Sequence, residues 1–349
     1  MYRRRFFCLV SVFLITAVLC CLIYERVRSE KLSTVLPRAE SSHGYDTSPY
    51  VQLLKTIPPF WDENGDAIQN TEDILYIDAE NEMEWKRRLP NALVIGVRKG
   101  GTRAVLDFLS RHPNVRVCPR ETHFFDRQDN YVLGLDWYRE QMAMSFPNEI
   151  TIEKTPAYFV IDDVPNRVFR MSPSLKLLVV VRDPTIRAIS DYAQLFEKAN
   201  GTLRSFEEYI TEDPQHRILR KMSSIVTTGI YVDHLNRWLE YFPLEQIHFI
   251  NGEELIKNPV PEMQAVEKFL GLKPFIDENL FYYNETKGFL CLAPAAGMKG
   301  GGGHSGCLSE SKGRPHPSVD EDVVTLLRDF YAPLNEKFYR AVGRNFDWD

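Results

Sequence analysis

The sequence has no basic excess. Its 349 residues carry 42 Lys and Arg against 48 Asp and Glu, a formal net charge of −6. A nucleic-acid binder normally shows the opposite balance, which speaks against that class. Cysteine is scarce: of six, Cys8, Cys20 and Cys21 fall in one apolar N-terminal run, leaving Cys118, Cys291 and Cys307 for the rest. Three are too few for a disulfide-dense scaffold. No internal repeat is present, and low complexity is confined to Gly300–Gly303. There is also no Gly-x-x-x-x-Gly-Lys-Ser/Thr frame, so a nucleoside triphosphatase is disfavoured. What is present is apolar material, 44% of residues, enough for a packed core and too much for a disordered chain.

Residues 6–24 lack charge altogether. As a helix they would span ~28 Å, close to the ~30 Å hydrocarbon core of a bilayer. The run ends in Cys20, Cys21, Leu22, Ile23 and Tyr24 rather than in a small-x-small cleavage site, so a retained signal-anchor is expected. Arg3, Arg4 and Arg5 precede it and Arg26, Arg28 and Lys31 follow it, a tie that leaves orientation open. The sequons Asn200-Gly-Thr202 and Asn284-Glu-Thr286 favour a bulk outside the cytosol, with glycosylation at Asn200 and Asn284. The expected order is a tail over 1–5, a transmembrane helix over 6–24, a stem over 25–90 and a folded domain over 91–349. The stem holds Pro37, Pro49, Pro58 and Pro59, and nine carboxylates without one Lys or Arg from Asp62 to Glu84, the pattern of a solvated spacer.

From Asn91 the pattern is α/β. Ala92–Val97 is a short apolar run entering a glycine turn, followed by Ala104, Val105, Phe108 and Leu109 at helical spacing up to His112-Pro113. Leu175–Val181 is continuously apolar, as a strand covered on both faces must be. It runs into Arg182-Asp183-Pro184, where Asp183 suits an N-cap and Pro184 a first helical position. Ile186, Ile189, Tyr192, Ala193 and Phe196 mark the expected buried face of that helix. Weaker strands fall at Ile150–Glu153 and Ile247–Ile250, and helices at Tyr231–Phe242, Pro261–Leu270 and Val319–Tyr331. Alternating strands and helices predict a central parallel sheet flanked by helices, with functional loops at the carboxyl ends of the strands.

Gly96-Val-Arg-Lys-Gly-Gly-Thr-Arg103 sits at such an end. Adjacent glycines let backbone N–H groups approach an anion, the helix N-terminus adds partial positive charge, and Lys99 and Arg103 add full charges. Arg182 offers a second anion point. Between them, Cys118-Pro-Arg-Glu-Thr-His-Phe-Phe-Asp126 would, if extended, put Glu121 and His123 on one face. From the residues alone a general base, a metal site and a buried hydrogen-bond cluster remain open. Lys154, at another strand end, either meets an anion or snorkels.

Six segments in order resemble the heparan sulfate glucosamine 3-O-sulfotransferase family. They are Val97–Arg103, Glu121-x-His-Phe-Phe-Asp126, Glu153-Lys-Thr-Pro-Ala-Tyr158, Val181–Pro184 with Ser190-Asp-Tyr192, Glu310–Pro317, and Val342-Gly-Arg-x-Phe-Asp-Trp348. The resemblance covers essentially all of residues 91–349 and implies a P-loop-like sulfotransferase fold with Golgi type II single-pass topology, placing the tail in the cytoplasm and the stem and domain in the lumen. It also implies 3′-phosphoadenosine 5′-phosphosulfate (PAPS) as sulfuryl donor, heparan sulfate as acceptor and no required metal. Residue by residue, Lys99, Gly100, Gly101, Thr102 and Arg103 would hold the 5′-phosphosulfate and Arg182 and Ser190 the 3′-phosphate. Lys312, Gly313 and Arg314 would close over the donor, Lys312 also meeting the acceptor, with Tyr283 nearby. Glu121 would be the base, desolvated and so more basic; His123 and Asp126 would position sugar and base; Lys154 and Gln194 would contact the acceptor chain. The family's disulfide would correspond to Cys291–Cys307, around a loop with six glycines over 297–306. Residues 95–127 hold seven Lys and Arg against three acids, a local field that a sulfated glycan would feel despite the acidic total.

Overall fold

The computed structural model describes residues 84–213, 218–286, 289–293 and 318–348. The expected anchor, nearly all of the stem, and the loop carrying Cys307, Lys312, Gly313 and Arg314 lie outside the described residues. By its internal contacts the chain divides into Met1–Ile74 and Leu75–Asp349, and every described residue belongs to the second unit. Among the described residues no helix is long and apolar enough to cross a membrane.

The core is a five-stranded sheet of β1 (Ala92–Gly96), β2 (Val115–Val117), β3 (Ile150–Lys154), β4 (Lys176–Val181) and β5 (Ile247–Asn251). The spatial order is β2-β3-β1-β4-β5, and every pairing is parallel. Strand residues alternate between two cores, which is why both faces read as apolar. Leu93, Ile95, Leu177 and Val179 enter one core, capped by Trp238 and Phe338. Ala92, Val94, Leu178 and Val180 enter the other, with Val105, Met263 and Val266.

The helices that matter here are α1 (Thr102–Leu109), α2 (Val164–Met171), α3 (Pro184–Lys198), α4 (Tyr231–Leu239), α5 (Gly252–Lys257), α6 (Pro259–Leu270) and α7 (Glu321–Val342). The α3 start is as expected: Asp183 accepts from the Thr185 and Ile186 N–H groups at 2.7 and 3.4 Å, with Pro184 in the first turn. Its buried face differs. Phe196 is exposed, whereas Arg187 and Asp191 are fully buried and paired at 3.0 Å across one helical turn. Arg187 also donates to the Ile225 carbonyl. A buried ion pair reads in sequence as a polar face, so hydrophobic periodicity points the wrong way there.

Helix α7 does not stop near Tyr331 but continues through Pro333 to Val342. Leu327, Tyr331 and Phe338 are all fully buried, and this packing outweighs the proline. Strand β2 and helix α2 escape sequence reading because β2 is only Val-Arg-Val and α2 is only eight residues long with a proline in its first turn. Order also begins ahead of residue 91: Lys86–Arg87 pairs antiparallel with Met144–Ser145.

Removing Arg187 should be costly, because buried Asp191 keeps only the partly exposed Arg98 as a partner. Arg187→Ala is expected to lower unfolding free energy by about 3 kcal/mol, the range for breaking a buried pair from one side. Urea denaturation checks this; a change below about 1 kcal/mol would contradict the pairing's role.

Candidate active site

The glycine loop leaves β1 at the sheet's centre. The Val97 N–H donates to the Val180 carbonyl at 3.0 Å, and the Gly100 N–H donates back to the Val97 carbonyl at 2.9 Å. The turn needs the left-handed region at Lys99 (φ 72°) and Gly101 (φ 116°). Gly100 is obligatory for a different reason: a Cβ there would lie 2.2 Å from the Val180 carbonyl oxygen. Helix α1 follows at once, with no side chain capping its first N–H groups. Such a terminus is built to receive an anion. Lys99 is half-buried, Thr102 buried and Arg103 exposed, the last paired with Asp107 at 2.8 Å.

On one side of the loop, β4 ends at Arg182. Its Nε lies 3.5 Å from Glu253 Oε1, an ion pair too long to be a hydrogen bond. The Tyr231 hydroxyl donates to the Arg182 carbonyl at 2.6 Å. Ser190 and Gln194 are half-buried on α3 one helical turn apart. Beside Ser190, Asp191 accepts from Arg98 of the glycine loop at 2.7 Å and so ties α3 to that loop. No sequence signal marks this link, because the partners are separated by most of the domain's first half.

On the other side, β3 ends at Lys154. Its ammonium contacts Glu121 Oε1, and Glu121 Oε2 lies 3.6 Å from His123 Nε2. His123 Nδ1 is 2.8 Å from Asp126 Oδ2. Lys154, Glu121, His123 and Asp126 thus form one chain of contacts. The segment is not extended as the spacing suggests; His123 has φ 49°, a left-handed residue that turns its ring back onto Glu121. Asp126 Oδ1 is buried with no hydrogen-bond partner among the described residues. Neighbouring parallel strands are ~4.8 Å apart, so β3 and β4 hold these two sides about 10 Å from each other across β1.

Comparison with known proteins fits this layout. A sulfotransferase-domain family model matches residues 89–340. Heparan sulfate glucosamine 3-O-sulfotransferase 5 of Mus musculus is 48% identical over 265 residues, 75% of each chain. Heparan sulfate glucosamine 3-O-sulfotransferase 6 of Mus musculus is 48% identical over 264 residues, 76% of this chain and 75% of that one. A crystal structure of a sulfotransferase from Alicyclobacillus acidocaldarius superposes with a TM-score of 0.53 at 22% identity, covering 74% of this chain and 97% of the other, which supports the fold. The chain belongs to the heparan sulfate glucosamine 3-O-sulfotransferase family.

Within this 3-O-sulfotransferase the desolvated carboxylate is not the one expected. Glu121 side-chain exposure is 39%, and a charged lysine holds it. Glu153 is the buried one, at 0%. Its Oε1 accepts from Thr155 Oγ1 at 2.6 Å and from the Thr122 N–H at 3.3 Å, and the Tyr138 hydroxyl donates to Oε2 at 3.4 Å. Burial pushes the Glu153 carboxyl up to about 7, against hydrogen bonds from Thr155 and Thr122 and the Lys154 charge, which pull it down. Reading the sequence misses this because Glu153 and Lys154 look alike as a charged strand end. Cys118 is also buried, donates to the Arg120 and Gln141 carbonyls and is pushed up to about 11 by burial, so it is a protonated core thiol.

Tyr283 is exposed on a two-stranded ribbon, Phe281–Asn284 against Phe289–Leu292. The ribbon rests on α1 through the edge-on Phe108–Phe281 pair. Its Cys291 is buried and disulfide-bonded, while Cys307 lies outside the described residues. Among the described residues Asn200 is exposed and Asn284 half-buried.

Glu153 sets a pH dependence whose sign is fixed. Its folded value of about 7 exceeds the ordinary 4.5, so its contribution is complete below about pH 4.5 and is lost as pH rises through 7. The full loss is on the order of 3 kcal/mol at 1.36 kcal/mol per unit. Unfolding free energies measured between pH 4.5 and 8 should flatten in Glu153→Gln; an unchanged slope would show that another group carries it.

Proposed function

We propose that the protein transfers the sulfuryl group of PAPS to the 3-hydroxyl of glucosamine residues in heparan sulfate. The observation that supports this best is the line of groups along the strand ends: Lys154, Glu121, His123 and Asp126 beside β3, the anion loop of Lys99–Arg103 at β1, and Arg182 at β4. This order suits an in-line transfer, with the acceptor base, the transferred sulfuryl group on its 5′-phosphate leaving group, and the far end of the donor in sequence across the cleft. The glycine loop would receive the 5′-phosphosulfate and Arg182 with Ser190 the 3′-phosphate. Lys312, Gly313 and Arg314 would close over the donor, near Tyr283.

In this scheme Glu121 takes the proton from the 3-hydroxyl, and the oxygen attacks sulfur as the sulfur–oxygen bond to the 5′-phosphate breaks. Negative charge collects on the bridging oxygen, where Lys99 stabilises it; alignment and charge placement supply most of the catalysis. Lys154 holds one oxygen of the Glu121 carboxylate and His123, itself held by Asp126, lies 3.6 Å from the other. Asp126, nearly buried, would act on the sugar and the base through His123, whose Nδ1 lies 2.8 Å from Asp126 Oδ2. Lys154 and Gln194 would meet the acceptor chain and its sulfates. No step in this scheme requires a metal.

We extend the proposal to topology and processing. A cytoplasmic tail over 1–5 and a signal-anchor over 6–24 would fix the domain in the Golgi lumen on the stem over 25–90. There Cys291–Cys307 and glycans on Asn200 and Asn284 could form.

Labelled sulfate transfer from PAPS to heparan sulfate, followed by disaccharide analysis, tests the reading. Product carrying 3-O-sulfate is expected; 6-O- or N-sulfate would indicate another position, and binding without transfer an inactive heparan-binding protein. Glu121→Gln should lower kcat by about 100-fold or more, the usual range for a lost general base, with donor-product affinity unchanged. Full activity in that variant would remove Glu121 from the base role.

A further inference from the structure

The segment after α7 makes contacts that none of the roles above uses. Trp348 Nε1 donates to Glu253 Oε2 at 3.3 Å. The other oxygen of Glu253 accepts the Asp183 N–H at 3.0 Å and lies 3.5 Å from Arg182 Nε. The Trp348 ring is fixed on three sides, stacked on Phe346 and Phe338 and edge-on to Tyr231, whose hydroxyl holds the Arg182 carbonyl. Four residues earlier, Arg344 donates to Glu262 at 2.5 Å, and Glu262 in turn accepts the Asn251 N–H at 2.9 Å.

These two chains of contacts end on either side of Gly252. A Cβ on Gly252 would lie 2.5 Å from the Gly100 carbonyl oxygen and 2.8 Å from that of Val181. The end of β5 is therefore wedged against both the glycine loop and the Arg182 turn.

We propose that Arg344 and Trp348 are positioning residues for the donor site. Trp348 acts through Glu253 on the Arg182–Asp183 turn, and Arg344 acts through Glu262 on Asn251–Gly252, which spaces that turn from Gly100. The ligand class at the braced turn is the 3′-phosphate of an adenosine 3′,5′-bisphosphate, so the inference rests on the assignment of Arg182 made under Proposed function.

Calorimetric affinities for adenosine 3′,5′-bisphosphate and for adenosine 5′-phosphate, which lacks the 3′-phosphate, test the two claims separately. Arg182→Ala should abolish the preference for the bisphosphate; if the preference survives, the Arg182 assignment falls and the brace with it. Trp348→Phe, which keeps an aromatic ring but loses the N–H donor, should weaken bisphosphate binding about 5-fold or more and change 5′-phosphate binding less than 2-fold, as expected for loss of a charge-assisted hydrogen bond. Glu253→Gln gives a diagnostic sign. A mere electrostatic neighbour of Arg182 would strengthen bisphosphate binding when neutralised, whereas a brace weakens it. The Trp348→Phe/Glu253→Gln pair should be no worse than the worse single variant, because both act along one path. In turnover, KM for PAPS should rise while KM for the acceptor stays fixed. Tight bisphosphate binding in Trp348→Phe, equal loss of both nucleotides, or additive effects in the pair would overturn the inference. Should Trp348→Phe fail to fold, Glu253→Gln carries the same comparison.

Discussion

Three stretches of backbone meet without side chains between them at the carboxyl end of the sheet. Gly100 lies against the Val180 carbonyl, and Gly252 lies between the carbonyls of Gly100 and Val181. Everything at the site is measured from this contact. It sets how far the glycine loop stands from the Arg182 turn, and hence the length of ligand that can bridge them. A single added methyl group at either glycine would force two strand ends apart, and close-packed interiors have little slack to absorb that.

The charges around this contact are arranged so that few act alone. Arg98 shares Asp191 with Arg187, and Arg103 pairs with Asp107 and Arg116 with Glu149. The excess of basic residues over 95–127 is therefore partly used in building the domain, and the field that an anionic chain would meet is smaller than the count suggests. On the β3 side the division is sharper. Two consecutive residues hold the same loop in different ways: Glu153 binds its backbone from within the core, and Lys154, itself buried, binds the exposed Glu121 side chain. Alternation along a strand sends neighbours to opposite faces, and the loop is gripped between them.

Much of the domain was legible in the sequence. Continuous apolar runs identified β1 and β4 because both sheet faces are covered, and Asp183-Pro184 marked the α3 start because capping is local chemistry. Spacing put only Glu121 and His123 on one face, and only for an extended segment; Asp126 joined them through the family resemblance, and the turned backbone at His123 that brings the three together was not legible. Less legible were Arg187 and Asp191, whose burial depends on each other, and the extension of α7 past Pro333, which depends on what its far end packs against.

The sequence by itself determined the order of elements, the glycine turn and the residue types at each strand end, since these depend on neighbours within a few positions. Only the tertiary structure decided which carboxylate is buried and which is exposed: Glu153 is enclosed by Tyr138, Thr155 and the Thr122 backbone, whereas Glu121 stands exposed in the loop after β2. It likewise decided that Trp348 reaches Glu253 and Arg344 reaches Glu262. Those partners are 95 and 82 residues apart in sequence, and they meet because α7 packs through Phe338 onto Tyr231 of α4 and Phe249 of β5, which brings the chain after it to the carboxyl end of the sheet.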